Sequence, residues 1–459
     1  MVKKPNRMTF ILSKMKEYKE NDSLNTSGNE NTRERVTLEW FNKNLNQTQK
    51  NAVMHVLWGT TRPFPYIIFG PPGTGKTITL VETILQLIRL IPSSRLLVTA
   101  PSNSAANLIA LRLIDSGVLL PGDLVRLISY NYALKETVPD KLIPYCATAS
   151  FAREDTVLSE VNNPNGIQFN SNMSTLGRSR ITVATCNCAG QFFLLNIPKG
   201  HFTHIIVDEA AQAGEPDVMI PLSFLNKNSG QIVLAGDPMQ LGPVILSKVA
   251  AECGLAESYL ERIMNRFPYV RDPEGFPETS GFDPRFIDNE TSKEAELLTS
   301  LQEFLPSKGD KLTRIIFHGV IGENYQTADS PSWYNPHEVA QVFYYVNQFY
   351  RLGAKELRTV FTEAEFEVPK IGTIEEFQGQ EFDIIIISTV RSSKDFITSD
   401  LLHNLGFVAH PKRLNVAISR AKSLLLIVGN PKLLCSDPCW RAVVKYCLEN
   451  GVYKGCDFE

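Results

Sequence analysis

Short apolar runs rich in β-branched residues recur along this chain, each closed by glycine or polar residues and often followed by an amphipathic stretch. In the first half they fall at residues 66–69, 95–99, 181–184, 204–207 and 231–235, and in the second at 314–317, 384–388 and 423–428. Unbroken runs of this kind predict strands buried on both faces. Their alternation with helical patterns predicts an α/β fold built on parallel sheets with helices on either side. Between residues 78 and 90 the helical period is plain. Ile78, Leu80, Val81, Ile84, Leu85, Leu87 and Ile88 form the apolar stripe and leave Glu82 and Gln86 on the wetter side.

Polar punctuation divides the pattern. Residues 1–37 are rich in Asn, Glu, Lys and Ser with no sustained apolar period, and are expected to be a mostly disordered lead-in. Residues 162–180, 268–292 and 391–400 read as loops, and the second of these is the natural boundary between two α/β halves. The expected organisation is therefore one domain over residues 38–285 and another over 286–459. No repeat at solenoid spacing is present.

Composition narrows this only a little. Hydrophobic residues make up 43% and charged residues 21%, as in ordinary globular chains with ample core material. The net charge of −3 argues mildly against a small nucleic-acid-binding domain, yet leaves room for a large protein with a local basic groove. The eight cysteines lack disulfide or zinc-site spacing and read as free thiols of a reducing compartment. His201 and His204 lack the glutamate of a zincin helix and simply flank a strand. No apolar run approaches the roughly 18 residues of a membrane span. The basic N-terminus has no long apolar segment of a signal peptide, so the expected location is cytoplasmic.

The chemistry begins after the first run. Gly70, Pro71, Pro72, Gly73, Thr74, Gly75, Lys76 and Thr77 match G-x-x-x-x-G-K-[ST] between an apolar strand pattern and a helical one. Glycines there let backbone N–H groups converge on phosphate oxygens at a helix N-terminus. Lys76 is expected to reach the β- and γ-phosphates of ATP, and the Thr77 hydroxyl to ligate Mg²⁺. The run at 204–207 ends in Asp208 and Glu209. Alone, that is an ordinary strand end. Downstream of a P-loop, Asp208 is expected to hold Mg²⁺ and Glu209 to activate the attacking water. The run at 231–235 leads into Gly-Asp-x-x-Gln-Leu, where Gln240 is placed to sense the γ-phosphate.

Together these segments resemble superfamily-one RNA helicases of the Up-frameshift type, and most closely the Armitage-like helicases of small-RNA silencing. Leu45-Asn46-x-x-Gln49 resembles the Q motif, which implies that Gln49 reads the adenine edge. Pro101, Ser102 and Asn103 lie in a segment similar to motif Ia, and Thr185 ends a strand similar to that of motif Ic. The resemblance implies RNA-backbone contacts at both. The stretch carrying Gln378, Gly379 and Glu381 resembles motif V, which couples nucleotide and RNA. The stretch ending in Arg420 resembles motif VI, whose arginine stabilises the transferring phosphoryl group. The implied fold is two RecA-like P-loop domains. The implied activity is ATP-dependent movement along single-stranded RNA, with an Argonaute- or Piwi-type silencing ribonucleoprotein as partner.

The chain departs from the family pattern at two places. After Arg285 the Tyr-Arg-x-His-Pro segment of motif IV is missing, and between Phe349 and Lys370 an expected strand is missing. A short polar lead-in stands where related helicases carry an accessory β-barrel. Removing a strand–helix unit uncovers apolar surface, so the second domain is expected to be incomplete. Two readings follow: an ATP-driven RNA motor, or an ATP- and RNA-binding scaffold with little unwinding. A DNA helicase of the same superfamily is a third, less favoured by the motif matches.

Overall fold

The computed structural model describes residues 38–135, 138–148, 178–245, 247–266, 269, 314–326, 333–356, 369–377, 380–392 and 411–458. It divides into two compact units. One comprises Met1–Pro238 and Gly242–Pro284, the other Met239–Leu241 and Arg285–Glu459. The lead-in at 1–37 and the motif IV region after Arg285 lie outside the described residues.

Among the described residues the first unit is a seven-stranded sheet whose neighbouring strands all run parallel. Its strands are β1 (Tyr66–Phe69), β2 (Leu96–Ala100), β3 (Leu124–Ile128), β4 (Cys146–Thr148), β5 (Ile181–Thr185), β6 (His204–Val207) and β7 (Gln231–Gly236), in the order β1-β7-β6-β2-β5-β3-β4. Alternation along each strand feeds two cores. Leu96, Val98 and Ala100 of β2 and Ile206 of β6 enter one, while Leu97, Ile205 and Val207 enter the other. The β-branched runs thus serve both faces, as a parallel sheet requires.

Helices α1 (Gln47–Trp58), α2 (Lys76–Leu90) and α3 (Asn103–Asp115) pack on the first of these faces. Asn46 begins α1 with a reciprocal capping box, its side chain taking the Gln49 N–H while the Gln49 side chain takes its own. Along α2 one expectation fails: Glu82 and Gln86 are buried, not wet. The chain before α1 folds over that side of the helix. Glu82 accepts the backbone N–H groups of Phe41 and Asn42, at 3.1 and 2.9 Å, and Gln86 donates to the Glu39 carbonyl at 2.7 Å. Period alone cannot distinguish a face that meets solvent from one that meets unsatisfied backbone.

The second unit has a four-stranded sheet among the described residues, again with parallel neighbours. It contains β8 (Ile315–Gly319), β11 (Phe382–Ser388), β12 (Ala421–Gly429) and β13 (Tyr453–Gly455), ordered β11-β12-β8-β13. A small antiparallel pair, β9 (Tyr325–Gln326) and β10 (Trp333–Tyr334), precedes α4 (Pro336–Glu356). Leu425 and Ile427 of β12 face the core that holds Trp440 of α6 (Pro438–Glu449) and Leu414 of α5 (Pro411–Ile418), whereas Leu424, Leu426 and Val428 face Tyr345 of α4.

Candidate nucleotide site

The loop between β1 and α2 has the backbone a phosphate cradle needs. Gly73 and Gly75 have φ of 74° and 81°, in the region that costs any other residue steric strain. A Cβ on Gly75 would meet Gln49 Nε2 at 2.5 Å, and one on Gly70 would meet Thr74 Oγ1 at 2.5 Å. Gln49 Nε2 donates to the Thr74 carbonyl at 3.1 Å, so this side chain ties α1 to the loop as well as capping its own helix. Lys76 Nζ donates to the carbonyls of Gly70 and Pro71, at 2.8 and 3.1 Å, and is thereby held across the loop mouth.

Asp208 follows β6 and is buried. Its Oδ2 accepts the Thr77 hydroxyl at 2.9 Å, joining positions 131 residues apart in sequence. Burial, then the neighbouring Glu209 carboxylate, raises Asp208 to about 6, against the opposing pull of Thr77 and Lys76. A divalent cation beside that carboxylate reverses the balance. The donor set, a hydroxyl and a carboxylate at a glycine cradle, suits Mg²⁺ with a nucleotide phosphate. Glu209 has φ 51°, a left-handed conformation uncommon for a residue with a side chain. Gln212 Nε2 donates to its Oε2 at 2.7 Å. Sequence reasoning missed Gln212. The available signal was an amide three residues after the acid, where a turn brings the two together.

Gln240 belongs with the second unit, in the segment Met239–Leu241. Both Gln240 and Arg420 are buried. Arg420 Nη2 donates to Gln240 Oε1 at 3.5 Å, and Asn415 Nδ2 donates to the Met239 carbonyl at 3.0 Å. Arg420 also donates to the Val416 carbonyl and the Ser419 hydroxyl, both at 3.1 Å. Glu381 is exposed, immediately before β11. Gln378 and Gly379 lie outside the described residues.

Of the residues expected at RNA, Pro101, Ser102 and Asn103 lie between β2 and the first turn of α3, and Thr185 ends β5, the strand paired with β2. All four sit at the C-terminal edge of the sheet, half-buried. Ser102 caps α3 through the Ala105 N–H, and the Thr185 hydroxyl accepts the Cys188 N–H at 3.2 Å.

A parallel sheet with a glycine loop at a helix N-terminus and an acidic strand end bonded to that loop defines a P-loop nucleotide-binding protein. Family models described as AAA domain match residues 44–162, 162–248 and 275–432. The chain is 42% identical to "Probable RNA helicase armi" of Drosophila melanogaster over 92% of its length and 39% of that protein's. It is likewise 42% identical to "RNA helicase Mov10l1" of Homo sapiens, over 92% of this chain and 36% of that one. Identity to "Putative helicase MOV-10" of Gallus gallus is 34%, over 92% and 48%. The chain belongs to the superfamily-one RNA helicases of the Up-frameshift type, on their Armitage-like branch.

It spans about two fifths of the length of the curated relatives it matches. The alignment with the Drosophila protein runs over 471 residues, while 92% of 459 is about 422. Some tens of aligned positions therefore have no counterpart here, in the same sense as the two departures noted in the sequence.

Proposed function

We propose that this chain is the motor core of an ATP-dependent RNA helicase or translocase, acting with Mg²⁺ on single-stranded RNA in small-RNA-mediated silencing. The observation that carries the reading is the Thr77–Asp208 hydrogen bond, which joins the end of the P-loop to the acidic end of β6. Mg²⁺, when bound, neutralises charge on the phosphates of ATP. The loop amides and Lys76 bind those phosphates, Thr77 and Asp208 hold the metal, and Glu209, oriented by Gln212, takes the proton of the attacking water. Gln240 reports the state of the γ-phosphate, and Arg420 stabilises the transferring group. Gln49 selects adenine, and Gln378, Gly379 and Glu381 couple nucleotide to RNA. Pro101, Ser102, Asn103 and Thr185 contact the RNA backbone, which carries no base information and suits a motor that moves along any sequence. From the motif resemblance, its proposed partner is an Argonaute- or Piwi-type silencing ribonucleoprotein and its proposed location the cytoplasm and its ribonucleoprotein granules. Among the described residues no helix is long and apolar enough to cross a membrane.

The test is ATP hydrolysis with and without a single-stranded RNA, alongside Lys76→Ala and Glu209→Gln. RNA stimulates the parent, and both variants lose hydrolysis. Equal turnover in parent and variants would sink the motor reading. The missing aligned positions favour a second reading, an ATP-held RNA-binding scaffold. In that case nucleotide and RNA bind normally, while strand separation on a tailed duplex is absent.

A further inference from the structure

Arg126 lies in the middle of β3 and is fully buried. Its Nε donates to Asn107 Oδ1 at 2.9 Å, Nη1 to the Leu127 carbonyl at 2.6 Å, and Nη2 to Asn103 Oδ1 at 2.9 Å. None of these partners is charged. The thiols nearest its charge, Cys146 and Cys188, are each pushed up to about 11 by burial and stay protonated. A buried cation without an anion is costly, by several kcal/mol. The positive end of α3 begins beside it at Asn103 and adds to the same field.

The guanidinium also fixes the direction of an amide. Arginine is donor-only, so the Asn103 atom that faces it has to be the oxygen, whichever way an asparagine is otherwise drawn. Asn107, one turn further along α3, is held in the same sense and passes its own N–H to the Tyr132 hydroxyl at 2.8 Å. With Oδ1 turned inward, Asn103 has its Nδ2 donor on the opposite side of the amide, at the sheet edge shared with Ser102 and Thr185. A phosphodiester only accepts hydrogen bonds, so a donor in that place attracts it and an inverted amide repels it.

We propose that Arg126 is a positioning residue for RNA: it locks the Asn103 amide with its N–H₂ toward the phosphodiester backbone and sets a fixed positive charge beneath that backbone. This rests on the reading that residues 101–103 contact RNA. The phosphate provides the anion that Arg126 lacks inside the protein, so RNA binding relieves part of the cost of burying the guanidinium.

The test is a double-mutant cycle on the whole chain, with RNA affinity read from the anisotropy of a fluorescent oligouridylate and nucleotide affinity from a fluorescent ADP. Asn103→Ala and Arg126→Met each weaken RNA binding about tenfold, the scale of one lost charge-assisted contact. The double variant is no weaker than the worse single, and nucleotide affinity moves less than twofold. A double variant about a hundredfold weaker means that the two residues act independently and overturns the proposal. So does an Arg126→Met chain with parental RNA affinity when Asn103→Ala is weak. If Asn103→Ala itself binds RNA normally, the RNA reading of residues 101–103 falls and takes the proposal with it. Should Arg126→Met lose nucleotide binding as well, Asn103→Asp decides. The carboxylate keeps the bond to Arg126 and raises the melting temperature, while its charge weakens RNA binding more than tenfold. A lowered melting temperature overturns the proposal.

Discussion

Replacing Gly75 by alanine tests whether the phosphate cradle depends on its backbone. At φ 81° and ψ 26° an L-residue pays roughly 1–2 kcal/mol. The new methyl would also lie 2.5 Å from Gln49 Nε2, so the amide has to leave the Thr74 carbonyl, a loss of about 0.5–1.5 kcal/mol. A loop without ligand can relax away from this conformation, whereas a loop wrapped around phosphate cannot. The penalty of about 1.5–3.5 kcal/mol therefore falls on affinity, and ATP binding weakens roughly ten- to four-hundredfold. Titration of a fluorescent ATP analogue measures it directly. Gly117→Ala is the control: its φ is 66°, but nothing lies within 4 Å of the added methyl. It lowers the melting temperature slightly and leaves nucleotide affinity within twofold. Nucleotide affinity within threefold of the parent for Gly75→Ala would refute the reasoning.

Other consequences are more direct. Burial raises Glu338 to about 7, despite hydrogen bonds from Ser388, Val390 and Thr389. The folded state therefore favours its protonated form, so its contribution is full below 4.5 and lost as pH rises through about 7, on the order of 3 kcal/mol. Melting temperatures should fall from pH 5 to pH 8 and fall less in Glu338→Gln; identical slopes would refute this. Glu82→Leu strands the N–H groups of Phe41 and Asn42 and should cost about 2–3 kcal/mol in urea denaturation, with a loss under about 0.5 kcal/mol counting against the role assigned to that carboxylate. On heating, nucleotide binding should outlast RNA-stimulated turnover, and simultaneous loss of the two would contradict the asymmetry between the units.

The candidate nucleotide site was legible because its chemistry is local. Glycine, lysine and threonine at fixed spacing, followed by an acid after a buried run, state both the residue types and the elements that carry them. Topology was not legible. Nothing in residues 204–207 says that β6 pairs with β2 and β7, and this pairing is what brings Asp208 to Thr77. Five of the described strands escaped the apolar pattern, β9 and β10 because they have only two residues each. The run of β3 is broken by Arg126, whose burial depends on amides supplied by α3. The strands β4 and β13 have three residues each, too few to show a period. The face of α2 bearing Glu82 and Gln86 looked wet because its partners are backbone groups, which leave no mark in a side-chain pattern.

The two units differ in how far their elements are satisfied. In the first, α2 is covered on its polar side by the chain before α1 and on its apolar side by the sheet. In the second, α4 sets Val342, Tyr345 and Phe349 against the sheet but leaves Val339, Phe343 and Tyr344 exposed by 56%, 66% and 51%. Apolar residues on two sides are the mark of a helix meant to be covered twice. The stretch between Phe349 and Lys370, which begins within α4, is also where the motif resemblance implies a missing strand. Each of these partly exposed side chains forfeits roughly 1–2 kcal/mol of burial, in sum a sizeable share of the ~5–15 kcal/mol that holds a domain together. Nucleotide binding draws on the first unit, whose two cores are continuous. On the proposed reading, RNA-driven turnover draws on both units, so the second is expected to set its limit.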